Sequence, residues 1–124
     1  METIKLVFKI TSQESNVEFT TIAEHKNNRI KFEDLDNIMN YVIIKKDIIE
    51  YYKKGDVDMK YIFDLDRVTK GYYRVMNTEL TFEIVTNTLL IKNGKIFVEY
   101  DLYQEQERVN QSKLSLVYES KEES

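Results

Sequence analysis

Apolar side chains recur at every second position over much of the chain. The first run places Ile4, Leu6, Phe8 and Ile10 on one face. The same period returns over residues 17–23, after a polar break at residues 13–16, and more briefly over residues 30–32. Successive side chains of a β-strand point to opposite faces, so a period of two predicts strands that are buried on one side.

The second half of the chain continues this pattern over residues 57–65, 80–84, 96–102 and 114–118. In the run over residues 57–65, Phe63 and Leu65 share the apolar face. Asn93 and Gly94 give the strongest hairpin signal, because a type I′ turn requires positive φ at both central positions. Turn residues recur roughly every 8–12 positions, and no proline removes a ladder donor. The pattern predicts an all-β sandwich or barrel.

Residues 36–55 are open to two interpretations. The apolar spacing fits an amphipathic helix, with Asp36 as its N-cap and Gly55 just past its end. However, residues 41–44 and 48–52 are mostly β-branched and aromatic, which favours two strands joined by a turn at residues 45–47. Periodicity alone does not choose between the helix and the strand pair.

Composition narrows the chemistry. The 124 residues, 42% hydrophobic and 32% charged, are enough for one domain with a core. With no cysteine and a single histidine, His25, the chain cannot form a disulfide, a thiol nucleophile or a multi-histidine metal site, so we expect no metal and no cofactor. We expect His25 to lie at the surface near Glu24. The net charge of −4 argues against a nucleic-acid partner.

The ends of the chain carry two further expectations. The opening Met1-Glu2-Thr3 is not followed by a basic and then an apolar segment, and no run approaches the roughly 18 apolar residues of a membrane span. We therefore expect a cytoplasmic bacterial protein without a membrane partner. We also expect residues 1–119 to form a single all-β domain, with residues 120–124 as a frayed polar tail.

Several short motifs occur in a fixed order along the chain. They are Lys53-Lys54-Gly55, then Val57, Met59 and Phe63, then Tyr73 ahead of Leu80-Thr81-Phe82, then residues 94–102, and finally Leu114 and Leu116. In this order they resemble the DUF1934, or YwiB-like, family of bacterial proteins of unknown function. The resemblance implies a calycin (lipocalin-like) antiparallel meander β-barrel of about eight to ten strands, and it favours two strands over residues 38–52.

The chain departs from the family pattern at two positions. Where relatives tend to have arginine before the turn glycine, this chain has Lys53. A guanidinium group can bind an anion through two parallel hydrogen bonds, whereas the lysine ammonium acts as a point charge. Where relatives tend to have glycine after the tyrosine, this chain has Thr78, so that turn either keeps negative φ or is strained.

The aromatic residues are the best candidates for a binding site. Phe8, Phe63, Phe82 and Tyr100 have the same parity as the aliphatic residues of their strands, and so are expected to point into the barrel. The interior of a small barrel is either filled by side chains or holds one small ligand. These four side chains therefore either complete the core or line a pocket for a small apolar ligand.

Charged residues give weaker candidates. Lys45-Lys46 and Lys53-Lys54 would form a basic patch for an anion if they met at one end of neighbouring strands, and would otherwise protect the apolar strands from aggregation. The three Asp-x-Asp pairs (Asp34/Asp36, Asp56/Asp58 and Asp64/Asp66) suit turns better than a cation site, because Ca²⁺ requires six or more oxygen ligands.

Three hypotheses for the function follow. The first is a non-enzymatic barrel that binds a small apolar or amphipathic molecule. The second is an interaction or assembly protein, including a homodimer, that uses sheet edges or the barrel rim. An enzyme ranks third and we expect none, because no motif assembles a nucleophile, and the paired carboxylates Glu99 and Asp101 have outward parity.

Overall fold

The fold consists of ten β-strands in a computed structural model that describes residues 1–121. The strands are β1 (Glu2–Ser12), β2 (Asn16–Lys26), β3 (Arg29–Glu33), β4 (Met39–Lys45), β5 (Ile48–Lys54), β6 (Val57–Asp64), β7 (Thr69–Val75), β8 (Thr78–Lys92), β9 (Lys95–Gln104) and β10 (Glu107–Ser120). Each strand pairs antiparallel with the strands before and after it in the chain.

The ring closes because β1 pairs with both β2 and β10. Ile4 lies opposite Ala23 on one side and opposite Ser120 on the other. The structure is therefore a closed antiparallel meander barrel, which confirms the predicted fold class with ten strands. Within residues 1–121, no helix is long and apolar enough to cross a membrane.

Residues 38–52 form the end of a loop and the hairpin of β4 and β5, so the helix interpretation is wrong. Val42 and Tyr51 face each other across the ladder and are both buried inside the barrel. Tyr41 and Tyr52 alternate with them on the outer face, where Tyr41 lies beneath the guanidinium of Arg29. Apolar and aromatic side chains on both faces of these strands produced the ambiguous spacing.

The C-terminal boundary lies later than expected. β10 runs through Ser120, which pairs with Ile4. The Lys121 N–H donates a hydrogen bond to the Thr3 carbonyl oxygen at 3.0 Å. The predicted frayed tail therefore does not begin at residue 120, and residues 122–124 lie outside the described part of the chain.

Two turns differ from the pattern of the sequence. β6 ends at Asp64, so Leu65 lies in the following turn and is 51% exposed instead of sharing the buried face. Between β7 and β8, Thr78 starts β8 and the positive φ of 54° falls on Met76. A positive φ at a residue with a Cβ is unfavourable, which agrees with the strained alternative for this turn.

The two ends of the barrel interior differ in chemistry. The turns that follow β2, β4, β6 and β8 lie at one end, here called the packed end, and the turns after β1, β3, β5, β7 and β9 lie at the other, the mouth end. Fully buried aliphatic side chains fill the interior towards the packed end; they include Ile4, Ile30, Val42, Ile49 and Ile96. Inward residues nearer the mouth end are mainly aromatic or polar, so a binding site is expected there.

Gly71 on β7 positions one of these aromatic residues. A Cβ at Gly71 would lie 2.7 Å from the Lys60 carbonyl oxygen, 2.8 Å from Ile84 Cδ1 and 3.0 Å from Tyr61 Cδ1. These distances are shorter than van der Waals contact, so only glycine leaves room for the Tyr61 ring at this position.

Gly71→Ala is expected to lower the free energy of unfolding by about 1–3 kcal/mol, the usual cost of overpacking a core. Urea denaturation followed by circular dichroism measures this effect. Lys70→Ala, on the exposed face of the same strand, should change the stability by less than about 0.5 kcal/mol. Equal midpoints for the two variants would contradict the assignment of Gly71 as a packing constraint.

Candidate functional site

A cavity of about 430 Å³ opens at the mouth end of the barrel. Its walls carry six aromatic side chains from six strands: Phe8, Phe19, Tyr51, Tyr61, Tyr73 and Tyr100. Polar side chains lie among them, including Ser12, Asn110 and Ser112. The interior of this barrel is therefore filled at one end and hollow at the other.

The rings form two groups that continue into the core. On one side, Phe8 stacks on Phe19 with 5.0 Å between ring centroids. On the other side, Tyr61 meets Tyr100 edge-on at 6.2 Å. Phe63 lies against Tyr100 at 4.7 Å. Because the rings of each group contact one another, much of the cavity wall is held in place by packing as well as by the backbone.

The four aromatic residues predicted to point inward have different positions relative to the cavity. Phe8 and Tyr100 line it, and both are almost fully buried. Phe63 is completely buried and forms part of the core that supports Tyr100. Phe82 is only partly buried; it contacts Tyr61 at 6.3 Å and lines a different groove, with Lys70 and Arg74.

The structure adds Tyr51, Tyr61 and Tyr73 to the predicted set. All three occupy inward positions on β5, β6 and β7. The period of two already marked Tyr61, but Tyr51 lay in the ambiguous segment and Tyr73 in a strand that the sequence pattern did not predict. That strand, β7, has Gly71 at an inward position, and this glycine interrupts the alternation of apolar and polar residues.

Burial keeps the tyrosine hydroxyls of the cavity protonated. Loss of solvation raises the pKa of Tyr100 to about 12, although the Ser112 hydroxyl opposes part of this effect. Burial also raises the pKa of Tyr51 and of Tyr61 well above the ordinary value of 10.0. These three phenols are therefore neutral at physiological pH.

A hydrogen-bonded network ties the cavity wall to its rim. The Tyr51 hydroxyl donates to Asn40 Oδ1 at 2.5 Å, and Asn40 Nδ2 donates to Asp34 Oδ2 at 2.9 Å. Lys53 Nζ donates to the same oxygen of Asp34 at 2.9 Å. The fully buried Asn40 is satisfied by these contacts together with the Ile38 carbonyl oxygen, to which it also donates.

Asp34 also shapes the loop at the rim. Its Oδ1 accepts the backbone N–H groups of Asp36 at 2.9 Å and Ile38 at 3.1 Å, around Asn37 with φ of 63°. Burial alone would raise the pKa of Asp34, but the hydrogen bonds from Lys53, Asn40 and Ile38 outweigh it, and the pKa is lowered. Asp34 is therefore ionised at neutral pH.

In two of the three Asp-x-Asp pairs, the first aspartate accepts a hydrogen bond from the backbone of the second, as in a turn. Asp64 Oδ1 accepts the Asp66 N–H at 2.9 Å, as Asp34 accepts that of Asp36. Among residues 1–121 no group of three or more histidine, cysteine or acidic side chains is arranged to hold a metal ion. The turn interpretation is confirmed for these two pairs.

The four lysines do not meet, so the alternative of one shared basic patch does not apply to them. In the β4–β5 hairpin, Lys45 pairs with Ile48 at the packed end, while Lys54 pairs with Met39 at the mouth end. Lys53 lines the cavity and is held by Asp34. Lys54 lies on the outer wall, 3.5 Å from Asp58 and above the ring of Tyr52.

His25 and Asp101 also differ from expectation. His25 is partly buried against the edge of Tyr118, and its nearest carboxylate is Glu2 at 3.9 Å instead of Glu24. Asp101 is on the outer wall but only 7% exposed, because the β-bulge at residues 86–88 brings Asn87 over it, and Asn87 Nδ2 donates to Asp101 Oδ2 at 3.1 Å. Neither Asp101 nor Glu99 belongs to the cavity wall.

Together these features define a calycin-like antiparallel barrel with an aromatic cavity at one end. The model of the family described as "Domain of unknown function (DUF1934)" matches residues 3–116, and the chain belongs to this family. The fold is similar to the crystal structure of the YwiB protein from Bacillus subtilis, with a TM-score of 0.75 and 18% sequence identity over 98% of this chain and 93% of that one. No curated protein gives a significant match.

Asp34→Asn tests the network at the rim. At pH 6 the variant is expected to be less stable than the parent by about 2 kcal/mol, the range for a hydrogen bond to a charged group. The pKa of Asp34 in the folded state is lower than its ordinary value of 3.8. The ionised carboxylate therefore stabilises the fold fully at pH values above 3.8, and this stabilisation is lost as the pH falls through the folded-state pKa. The difference should therefore shrink towards pH 2.

Chemical denaturation at several pH values between 6 and 2 measures both effects. Asp36→Asn, an exposed position in the same loop, serves as the control and should leave the stability nearly unchanged at pH 6. A constant difference between the parent and Asp34→Asn across this range would show that the Asp34 charge does not stabilise the folded state.

Proposed function

We propose that the protein is a non-enzymatic binding protein that holds a small amphipathic molecule in the mouth cavity. The observation that carries this proposal is the hollow mouth end, about 430 Å³ in volume, in a barrel whose other end is filled. Known ligand pockets have volumes of roughly 300–1,000 Å³ and mainly apolar walls with a few placed polar groups. This cavity meets both criteria.

The arrangement of the walls supports an amphipathic ligand over a purely apolar one. The deeper wall is formed by buried rings such as Phe8, Tyr51 and Tyr100. Nearer the rim, the Asp34–Lys53 ion pair and Asn110 provide polar groups. An apolar body would pack against the rings while a polar head stays at the rim, where it remains partly hydrated.

The way into the cavity lies between β2 and β3. These two strands pair only through residues Glu24–Lys26 and Arg29–Lys31, and they separate towards the mouth end. Val17 and Phe19 on β2 and Leu35 after β3 line the cavity on either side of this gap. A ligand could therefore enter without breaking a ladder hydrogen bond.

An interaction protein is the second candidate, and one observation supports it. The barrel is a closed ring, but residues 16–23, which make up most of β2, have a ladder partner only in β1. Unpaired backbone groups of this kind can pair with another chain, including a second copy. Light scattering after size-exclusion chromatography tests this version; a strict monomer at high concentration would rule out the homodimer.

A cytoplasmic location completes the proposal. The lack of cysteine in the sequence agrees with a reducing compartment. Native mass spectrometry of protein purified from its own host would reveal a ligand that is acquired inside the cell.

Blocking the cavity tests the leading proposal. Val17 is 37% exposed at the rim, so Val17→Trp would place an indole across the opening without replacing a core residue. We expect it to weaken binding of the neutral probe N-phenyl-1-naphthylamine at least tenfold, measured by the fluorescence of the probe. Ile22→Trp, on the outer face of the same strand and 49% exposed, is the matched control and should bind as the parent does.

The cavity proposal fails if the parent protein does not bind the probe, or if both tryptophan variants bind it equally. Thermal unfolding of each variant without the probe confirms that both remain folded, so that a loss of binding reports on the cavity.

A further inference from the structure

We propose that the mouth cavity selects an organic cation, a molecule with an ammonium group on an apolar body. This inference rests on the proposed binding function and identifies the chemical class of its ligand. Three observations carry it. The cavity wall has a net negative charge, its tyrosine side chains are neutral, and its strongest anion-binding groups already bind other groups of the protein.

The charged side chains of the cavity wall sum to a net negative charge. They are Asp34, Asp36 and Lys53. Lys53 and Asp34 neutralise each other in the ion pair at 2.9 Å. Asp36 is exposed at the rim, and within residues 1–121 no lysine, arginine or histidine forms an ion pair with it. Its carboxylate is therefore available to a positively charged head group.

The aromatic side chains of the cavity wall also favour a cation over an anion. A neutral aromatic ring carries negative electrostatic potential on its face and attracts a cation placed over it, the arrangement that binds quaternary ammonium groups in aromatic cages. The phenols of Tyr51, Tyr61 and Tyr100 are neutral, for the reasons given above. Phe8 and Phe19 add two further rings to the wall. Each ring that turns a face to the cavity would give a cation a contact that an anion does not gain.

The lysine and the rim amides that would bind an anion most strongly already have partners within the protein. The Lys53 ammonium is held by Asp34. The backbone N–H groups of Asp36 and Ile38 at the rim both donate to Asp34 Oδ1. The Tyr51 hydroxyl donates to Asn40. To reach Lys53 or the rim amides, a carboxylate or phosphate ligand would have to displace Asp34, whereas an ammonium group would leave this network intact.

Three naphthyl probes that differ in the head group test the inference: 2-(1-naphthyl)ethylammonium, 2-(1-naphthyl)ethanol and 1-naphthylacetate. Isothermal titration calorimetry of the full-length protein at pH 7 gives each affinity. We expect the ammonium probe to bind at least tenfold more tightly than the carboxylate probe, with the alcohol between them. Higher salt should narrow this difference, because the Asp36 carboxylate is exposed.

The outcomes separate the two proposals. If the alcohol or the carboxylate binds as tightly as the ammonium probe or more so, the cation preference is wrong while the cavity remains a binding site. If none of the three probes binds, both the cation preference and the proposed function are contradicted.

Asp36→Asn tests where the preference arises. It should reduce the affinity for the ammonium probe about threefold to fivefold, as expected for one partly screened charge contact, and leave the alcohol unaffected. Asp56→Asn is the matched control: it removes the same charge in another exposed segment of the mouth end, and Asp56 does not belong to the cavity wall. Equal losses in the two variants would show that the overall charge of the protein, and not the cavity, attracts the cation.

Discussion

Closure of the ring by β1 is the constraint on which the rest of the structure depends. Since β1 pairs with β2 on one side and β10 on the other, every strand must turn alternate side chains into one enclosed volume. That volume is filled by aliphatic side chains such as Ile4 and Ile49 at the packed end. Larger rings and polar groups take their place at the mouth end, and there the same constraint leaves a cavity instead of a core.

The Asp34 network shows how the rim of a cavity can be made rigid without filling it. A single carboxylate accepts hydrogen bonds from two backbone N–H groups of its own loop and from Asn40 and Lys53 on two neighbouring strands. Each of these contacts favours the ionised carboxylate, so the charge that is costly to bury also holds the loop in place. The network therefore connects the shape of the rim to its electrostatic character.

Most strands and several inward aromatic residues, such as Phe8, Phe63 and Tyr100, were predictable from the sequence because they depend on local periodicity. Three features were not predictable, since each depends on how the strands pair. Lys53 meets Asp34 only through the registers of β3, β4 and β5. Asp101 is buried because a bulge in β8 brings Asn87 beside it, which simple parity cannot anticipate. The inward glycine at position 71 concealed β7, although it is what admits the Tyr61 ring.

The separation of β2 from β3 has a consequence for the local stability of the barrel. The amides of a strand that is paired on both sides exchange with solvent only when several hydrogen bonds open together. Residues 16–23 of β2, in contrast, are paired on one side alone. This segment should therefore belong to the least protected part of the fold, and its opening would not require global unfolding. Because Val17 and Phe19 lie in it, the wall beside the cavity can fluctuate while the aliphatic end of the barrel stays closed.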